Sequence, residues 1–221
     1  MNKDLWLFNY EEGMNYENFS KCEDYYNQIQ EYLLDNYQLN DKTVLEIGAG
    51  SGKFTDFLSK NSKRLYVSEK SQSLMEINKS KNCNQKNIEF ILGDAKDLNL
   101  QKNSVDIIFA GWSLTSMRDV YEELKPVLLN LLKKNGKIIA IENAGNDEFC
   151  KMMNIENFTK EIKEKFIEIG FVQKAILNTT IVLSSVETLK KAFPKLQNVN
   201  INNLEIKHNV LVMEFKKEKE N

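Results

Sequence analysis

The chain has 221 residues, 42% of them apolar and 28% charged, with a formal net charge of −2. This size and apolar fraction suit one domain with a full core, or one domain and a small cap, and exclude wholesale disorder. The near-balance of charge, with a pI near 5.7, argues against a protein whose main work is gripping nucleic acid.

No uncharged apolar run approaches the roughly 20 residues of a membrane span. The N-terminal stretch shows no apolar signal core, and Cys22, Cys83 and Cys150 are odd in number and widely spaced. These features predict a cytoplasmic protein with no disulfide framework and no metal site. The cysteines are expected to be buried small apolar residues. The one histidine, His208, excludes any mechanism that needs a His pair.

Residues 1–40 hold nine of the 22 aromatic residues and six of the eight tyrosines. Ser20-Lys21-Cys22-Glu23 has the spelling of a capping box, and Tyr25, Tyr26, Ile29, Leu33 and Leu34 follow at helical spacing. A helix from about Lys21 to Asn36 is predicted, behind an irregular aromatic arm. From Lys42 strands and helices alternate. Thr43–Ile47 reads as a strand that ends in the glycine-rich turn Gly48–Gly52. Arg64–Ser68, Ile88–Leu92, Val105–Ala110 and Lys137–Ile141 read as strands two to five. Between them, Ser71 or Ser73 caps one helix, and Val120 to Lys133 forms another that Asn135-Gly136 stops. A further helix runs from Phe158 to Ile169, and Phe171–Ser184 and Leu204–Phe215 give the last two strands. The stretch 186–203 is long for a hairpin and reads as an insertion. The division expected is an arm and cap helix over 1–40 and a main domain over 41–221, with a lid insertion near 186–203. Apolar strands separated by helical patterns describe an α/β fold, a parallel sheet with helices on both faces.

The strongest signal is Val44-Leu45-Glu46-Ile47-Gly48-Ala49-Gly50-Ser51-Gly52. A strand, a glycine turn and a helix start bring unpaired N–H groups close to a ligand. The glycines do not fit the dinucleotide pattern GxGxxG, because Lys53 occupies its third glycine position. Glu46, two places before the first glycine, would repel a pyrophosphate and attract a cation such as an amino-acid ammonium.

This combination resembles motif I of the class I S-adenosylmethionine-dependent methyltransferases, written (D/E)xGxGxG. Glu69, 23 residues after Glu46, stands where an acid accepts ribose hydroxyls. Gly93-Asp94-Ala95 resembles the family's adenine-binding turn, with Asp94 preferred over Asp97. Leu132-Lys133-Lys134-Asn135-Gly136 resembles its turn into strand five, with Asn135 replacing a glycine. The resemblance covers about residues 42–142 by motif. It implies a Rossmann-like, doubly wound and mostly parallel seven-stranded sheet with an antiparallel last strand. It also implies S-adenosylmethionine as cofactor and S-adenosylhomocysteine as product. The implied cofactor residues are Glu46, Gly48, Ala49, Gly50, Gly52, Glu69, Lys70, Asp94, Ala95 and Ala110.

Methyl transfer from a sulfonium needs mainly in-line positioning and exclusion of water. No side chain is assigned as base: Tyr10, Tyr16, Glu142 and His208 are candidates without a spacing argument. His208 is expected to be a surface or structural residue. Tyr10, Tyr16 and Trp112 are read as substrate contacts. Ala110-Gly111-Trp112-Ser113 lacks the proline pair of DNA amino-methyltransferases and the cysteine of cytosine C5 enzymes. With no visible recognition domain, the reading is a small-molecule acceptor, the core resembling the ubiquinone/menaquinone biosynthesis methyltransferases. The alternatives are a non-catalytic cofactor-binding module and an RNA or protein methyltransferase.

Overall fold

The computed structural model describes residues 13–217. Its strands are β1 (Thr43–Ile47), β2 (Arg64–Glu69), β3 (Ile88–Leu92), β4 (Val105–Gly111), β5 (Leu132–Asn143), β6 (Val172–Val182) and β7 (Glu205–Lys216). They form one sheet in the order β3-β2-β1-β4-β5-β7-β6. All neighbours are parallel except β7, which is antiparallel to both β5 and β6. The seven-stranded, doubly wound sheet expected from the sequence is therefore present. The strand order reverses between β1 and β4, so a crevice opens at their carboxyl ends.

The helices are α1 (Gly13–Ser20), α2 (Gln28–Asn36), α3 (Thr55–Asn61), α4 (Gln72–Lys81), α5 (Tyr121–Leu131), α6 (Glu148–Met152), α7 (Glu156–Glu168) and α8 (Val186–Ala192). Strand side chains alternate between two cores, as the pleat requires. Leu45, Ile108, Ala140 and Leu211 face α5 and α7, whereas Val44, Phe109, Ile139 and Val212 face α2 and α3. Ile29 and Leu33 of α2 are fully buried in that second core. A third, smaller core joins Phe19 and Cys22 to Phe149, Cys150, Leu189, Phe193 and Ile206. It forms a cap at the carboxyl end of the sheet from α1, α6, α8 and the start of β7.

Several local expectations are corrected. Residues 21–36 are not one helix. Ser20 ends α1, and its hydroxyl donates back to the Glu17 carbonyl at 3.1 Å. Asp24 and Asn27 take left-handed backbone angles. The Asp24 carboxylate, not a Ser20 capping box, accepts the N–H groups of Gln28 and Ile29 at 2.9 Å each. The 21–26 turn instead runs against the edge strand, with Tyr25 N–H donating to Thr180 O and Val182 N–H to Cys22 O. Tyr25 and Tyr26 consequently stay exposed. Asn135-Gly136 does not stop a helix: α5 ends at Leu131, Leu132 is already extended, and Asn135 takes φ 63° within β5. Cys83 is exposed, unlike Cys22 and Cys150. Among the described residues no helix is long and apolar enough to cross a membrane.

Candidate cofactor site

The loop after β1 turns back through Gly48, Gly50 and Gly52, all with positive φ. At Gly52 the need is steric as well, since a Cβ would lie 2.3 Å from Asn78 Oδ1. At Gly50 a Cβ would lie 3.2 Å from Tyr16 Cε1. The loop is supported from beneath by a buried chain of polar groups. Asn82 Nδ2 donates to Asn78 Oδ1 at 2.9 Å, Asn78 Nδ2 to Thr55 Oγ1 at 3.0 Å, and Thr55 Oγ1 to Glu46 Oε2 at 2.7 Å.

Glu46 is thus an anchor of this chain and is not among the residues lining the cleft. The pleat explains its direction: its neighbours Leu45 and Ile47 face α5, so Glu46 faces α3. Burial, with Glu69 nearby, pushes its pKa up to about 8 against the opposing hydrogen bond from Thr55. The carboxyl is then largely neutral near pH 7, which removes the charge the sequence reading gave it.

The cleft encloses about 420 Å³, within the usual range for small ligands. Gly48, Glu69, Lys70, Gly93, Asp94, Ala95, Trp112 and Tyr16 line it. Glu69 ends β2 and is buried. Its Oε2 accepts the Gly50 N–H and its Oε1 the Ser71 N–H, both at 2.8 Å. One carboxylate therefore fastens the glycine loop to the start of α4, and each oxygen retains lone-pair capacity. Asp94 opens the turn Ala95–Asp97, where its Oδ1 accepts the Lys96 N–H at 3.1 Å. Asp97 is exposed and outside the lining. A Cβ added at Gly93 would meet nothing within 4 Å, so the space beside that turn is open.

Of the residues expected to hold the cofactor, Ala49, Gly50, Gly52 and Ala110 do not line the cleft. Ala49 N–H donates to Ser68 O at 3.1 Å, and Ala110 is fully buried in the sheet. The lining after β4 is Gly111, Trp112 and Ser113. Trp112 takes φ 51° and donates its N–H to Ile141 O at 2.7 Å. Its ring stacks between Phe54 at 5.8 Å and His208 at 5.9 Å. Ser113 Oγ donates to Ile47 O at 2.8 Å and ties β1 to the turn beyond β4.

His208 is an interior residue, fully buried, with Nε2 2.8 Å from Asn143 Oδ1. Burial, reinforced by the Lys53 charge, lowers its pKa to about 3, so the ring is neutral. The Glu142 oxygens both accept from Thr115, from its N–H at 3.0 Å and its hydroxyl at 2.8 Å. Burial raises that carboxyl to about 7. Neither group lines the cleft. Tyr16 reaches it from α1, and Tyr10 lies outside the described residues.

Sequence reasoning missed two parts of the site. The turn Thr115–Val120 supplies Ser116, Met117, Arg118, Asp119 and Val120 to the rim. Lys53, directly after the glycine loop, donates Nζ to the carbonyls of Ser20 and Glu23 at 2.6 Å each and pins the cap to the loop. A lysine in the third-glycine position of the failed dinucleotide pattern was the available signal.

Residues 45–140 match the family model described as a methyltransferase domain. Phosphoethanolamine N-methyltransferase of Triticum aestivum is 35% identical over 114 residues, covering 50% of this chain and 22% of that enzyme. The methyltransferase C25B8.09 of Schizosaccharomyces pombe is 27% identical over 191 residues, covering 80% of this chain and 74% of the relative. The fold resembles phosphoethanolamine N-methyltransferase 1 of Haemonchus contortus, solved with phosphoethanolamine and S-adenosylhomocysteine. The TM-score is 0.56 at 19% identity, over 96% of this chain and 48% of that one. The chain spans only about a fifth of the length of the wheat enzyme it matches. Residues 45–140 thus carry the match to a methyltransferase domain, and the reversed sheet order and glycine loop are those of a Rossmann-like methyltransferase fold.

Proposed function

We propose that this chain binds S-adenosylmethionine in the cleft at the β1/β4 switch point and moves its methyl group to a small-molecule acceptor. The observation that carries the reading is Glu69: it hydrogen-bonds the glycine loop while lining the same cleft as Asp94. Two acids at the ends of adjacent strands suit the hydroxyls and amino group of an adenosine. Glu69 would hold the ribose, Asp94 and the backbone at Ala95 the adenine, and the loop 48–52 the amino-acid part. The bound cofactor supplies an activated methyl group and a neutral thioether leaving group.

The protein's contribution on this reading is positioning and the exclusion of water. Tyr16 packs over Gly50, and the Trp112 ring stacks on Phe54 and His208, so aromatic walls flank the cleft. Neither His208 nor Glu142 reaches the cleft, which fits an acceptor that needs no base from them. The cap built from α1 and α8 suits a small acceptor better than a polymer.

Calorimetric titration with S-adenosylhomocysteine tests the cofactor part. Saturable binding of one equivalent is expected, with no binding of NAD. Binding of NAD in place of S-adenosylhomocysteine would overturn the assignment.

A further inference from the structure

The chain contains 28 lysines and only two arginines. Arg64 is an exposed surface partner of Glu89. The other, Arg118, lines the cleft from the turn after β4, and its side chain is only 13% exposed. Its Nη1 donates to the Thr115 carbonyl at 3.0 Å, and its guanidinium carbon lies 5.2 Å from the centroid of the Phe158 ring. Thr115 is itself gripped by both oxygens of Glu142. The guanidinium plane is therefore fixed before any ligand arrives.

That plane is only partly used. Among the described residues the buried Arg118 Nε–H has no hydrogen-bond acceptor. The Asp119 carboxylate is 3.9 Å away, beyond hydrogen-bond reach, on a side chain 69% exposed. Buried N–H donors are normally satisfied, and a guanidinium fork matches the oxygens of a carboxylate or phosphate. Lys70 lines the same cleft, and Lys165 Nζ donates to the Arg118 carbonyl at 3.4 Å. Glu69 and Asp94 sit on the β2 and β3 side of the switch point, whereas Arg118 follows β4. Asp119, beside Arg118, lines the cleft as well.

We propose that Arg118 recognises a carboxylate or phosphate on the methyl acceptor, so that the acceptor is an anionic small molecule. This rests on the methyl-transfer reading above. A carboxylate also ends the amino-acid part of the cofactor, and the experiment separates the two sources.

With 15N-labelled arginine the full chain gives two Nε–Hε NMR signals, and Arg64→Lys assigns them. The protein is saturated with S-adenosylhomocysteine, followed by calorimetry, and then titrated with inorganic phosphate at constant ionic strength. The expected result is a saturable shift of the Arg118 signal with Arg64 unmoved. In Arg118→Lys the phosphate affinity should fall about tenfold, since the bidentate fork is lost while the charge stays. An Arg118 signal that responds to phosphate only before S-adenosylhomocysteine is added would assign the anion to the cofactor and overturn the proposal. Equal, unsaturable shifts at both arginines would mean an adventitious ion only. No response at Arg118 would refute anion recognition while leaving the cofactor reading intact. Failure of S-adenosylhomocysteine to bind would remove both.

Discussion

Replacing Glu69 separates binding from scaffolding. Its carboxylate accepts two backbone N–H groups, from Gly50 in the loop and Ser71 at the start of α4, at 2.8 Å each. Hydrogen bonds to a charged acceptor contribute about 1.5–3 kcal/mol each, less where water can replace them. The Gly50 bond is buried and the Ser71 bond partly so, which gives Glu69→Ala a stability loss of about 2–4 kcal/mol. If Glu69 also accepts the ribose, a further 1–3 kcal/mol is lost from binding, a rise in Kd of about 5- to 150-fold. Glu69→Gln keeps one acceptor oxygen and a similar shape, so it should retain the Gly50 or the Ser71 bond and lose about half as much stability. Thermal unfolding and calorimetric titration with S-adenosylhomocysteine on the three proteins measure both effects. A Glu69→Ala protein that is less stable but binds with unchanged affinity would make Glu69 a loop clasp only. An unchanged stability would refute the hydrogen-bond reasoning itself.

Three further outcomes are expected. Gly50→Val places a β-branched side chain at φ 56° and against Tyr16, so S-adenosylhomocysteine binding should be lost while the far-UV circular dichroism is kept; retained binding would refute the loop geometry. Glu46 has a folded-state pKa of about 8 against an ordinary 4.5, so its contribution to stability is full below pH 4.5 and declines as pH rises to about 8. Glu46→Gln cannot lose that proton, and its Tm should fall less than the parent's between pH 5 and pH 8; parallel curves would show that the carboxyl is not the source. Lys53→Met removes the donor that holds the Ser20 and Glu23 carbonyls, and amide exchange in residues 20–26 should quicken more than tenfold while the central strands are unaffected. Exchange that is unchanged there would mean the cap is held by its apolar core alone.

The sheet was legible because its strands are short apolar runs with clear punctuation, and the glycine loop because so few backbones need three positive φ values in five residues. Glu69 and Asp94 could be named as candidates because each stands just where a readable strand ends. Glu46 was misread in its direction, although its alternation with Leu45 and Ile47 already put it on the α3 face. The break at Asp24–Asn27 was hidden because Ser20 and Glu23 spell a capping box, while the competing Asp24 cap depends on the edge of β6, far away in sequence. The cap core was out of reach for the same reason. It joins Phe19, Phe149, Leu189 and Ile206, which no local pattern links. Arg118 carries no motif at all. Its significance comes from a lining position and a fixed orientation that only the folded chain provides.

The central claim, methyl transfer to a small acceptor, is tested most directly with S-adenosylmethionine labelled with tritium on its methyl group. The purified chain is incubated with an extract of its own cells, and the label is counted in the low-molecular-weight, nucleic-acid and protein fractions. The account predicts label in the low-molecular-weight fraction, abolished by Gly50→Val. Label confined to RNA or protein, or tight S-adenosylhomocysteine binding with label in no fraction, would contradict it.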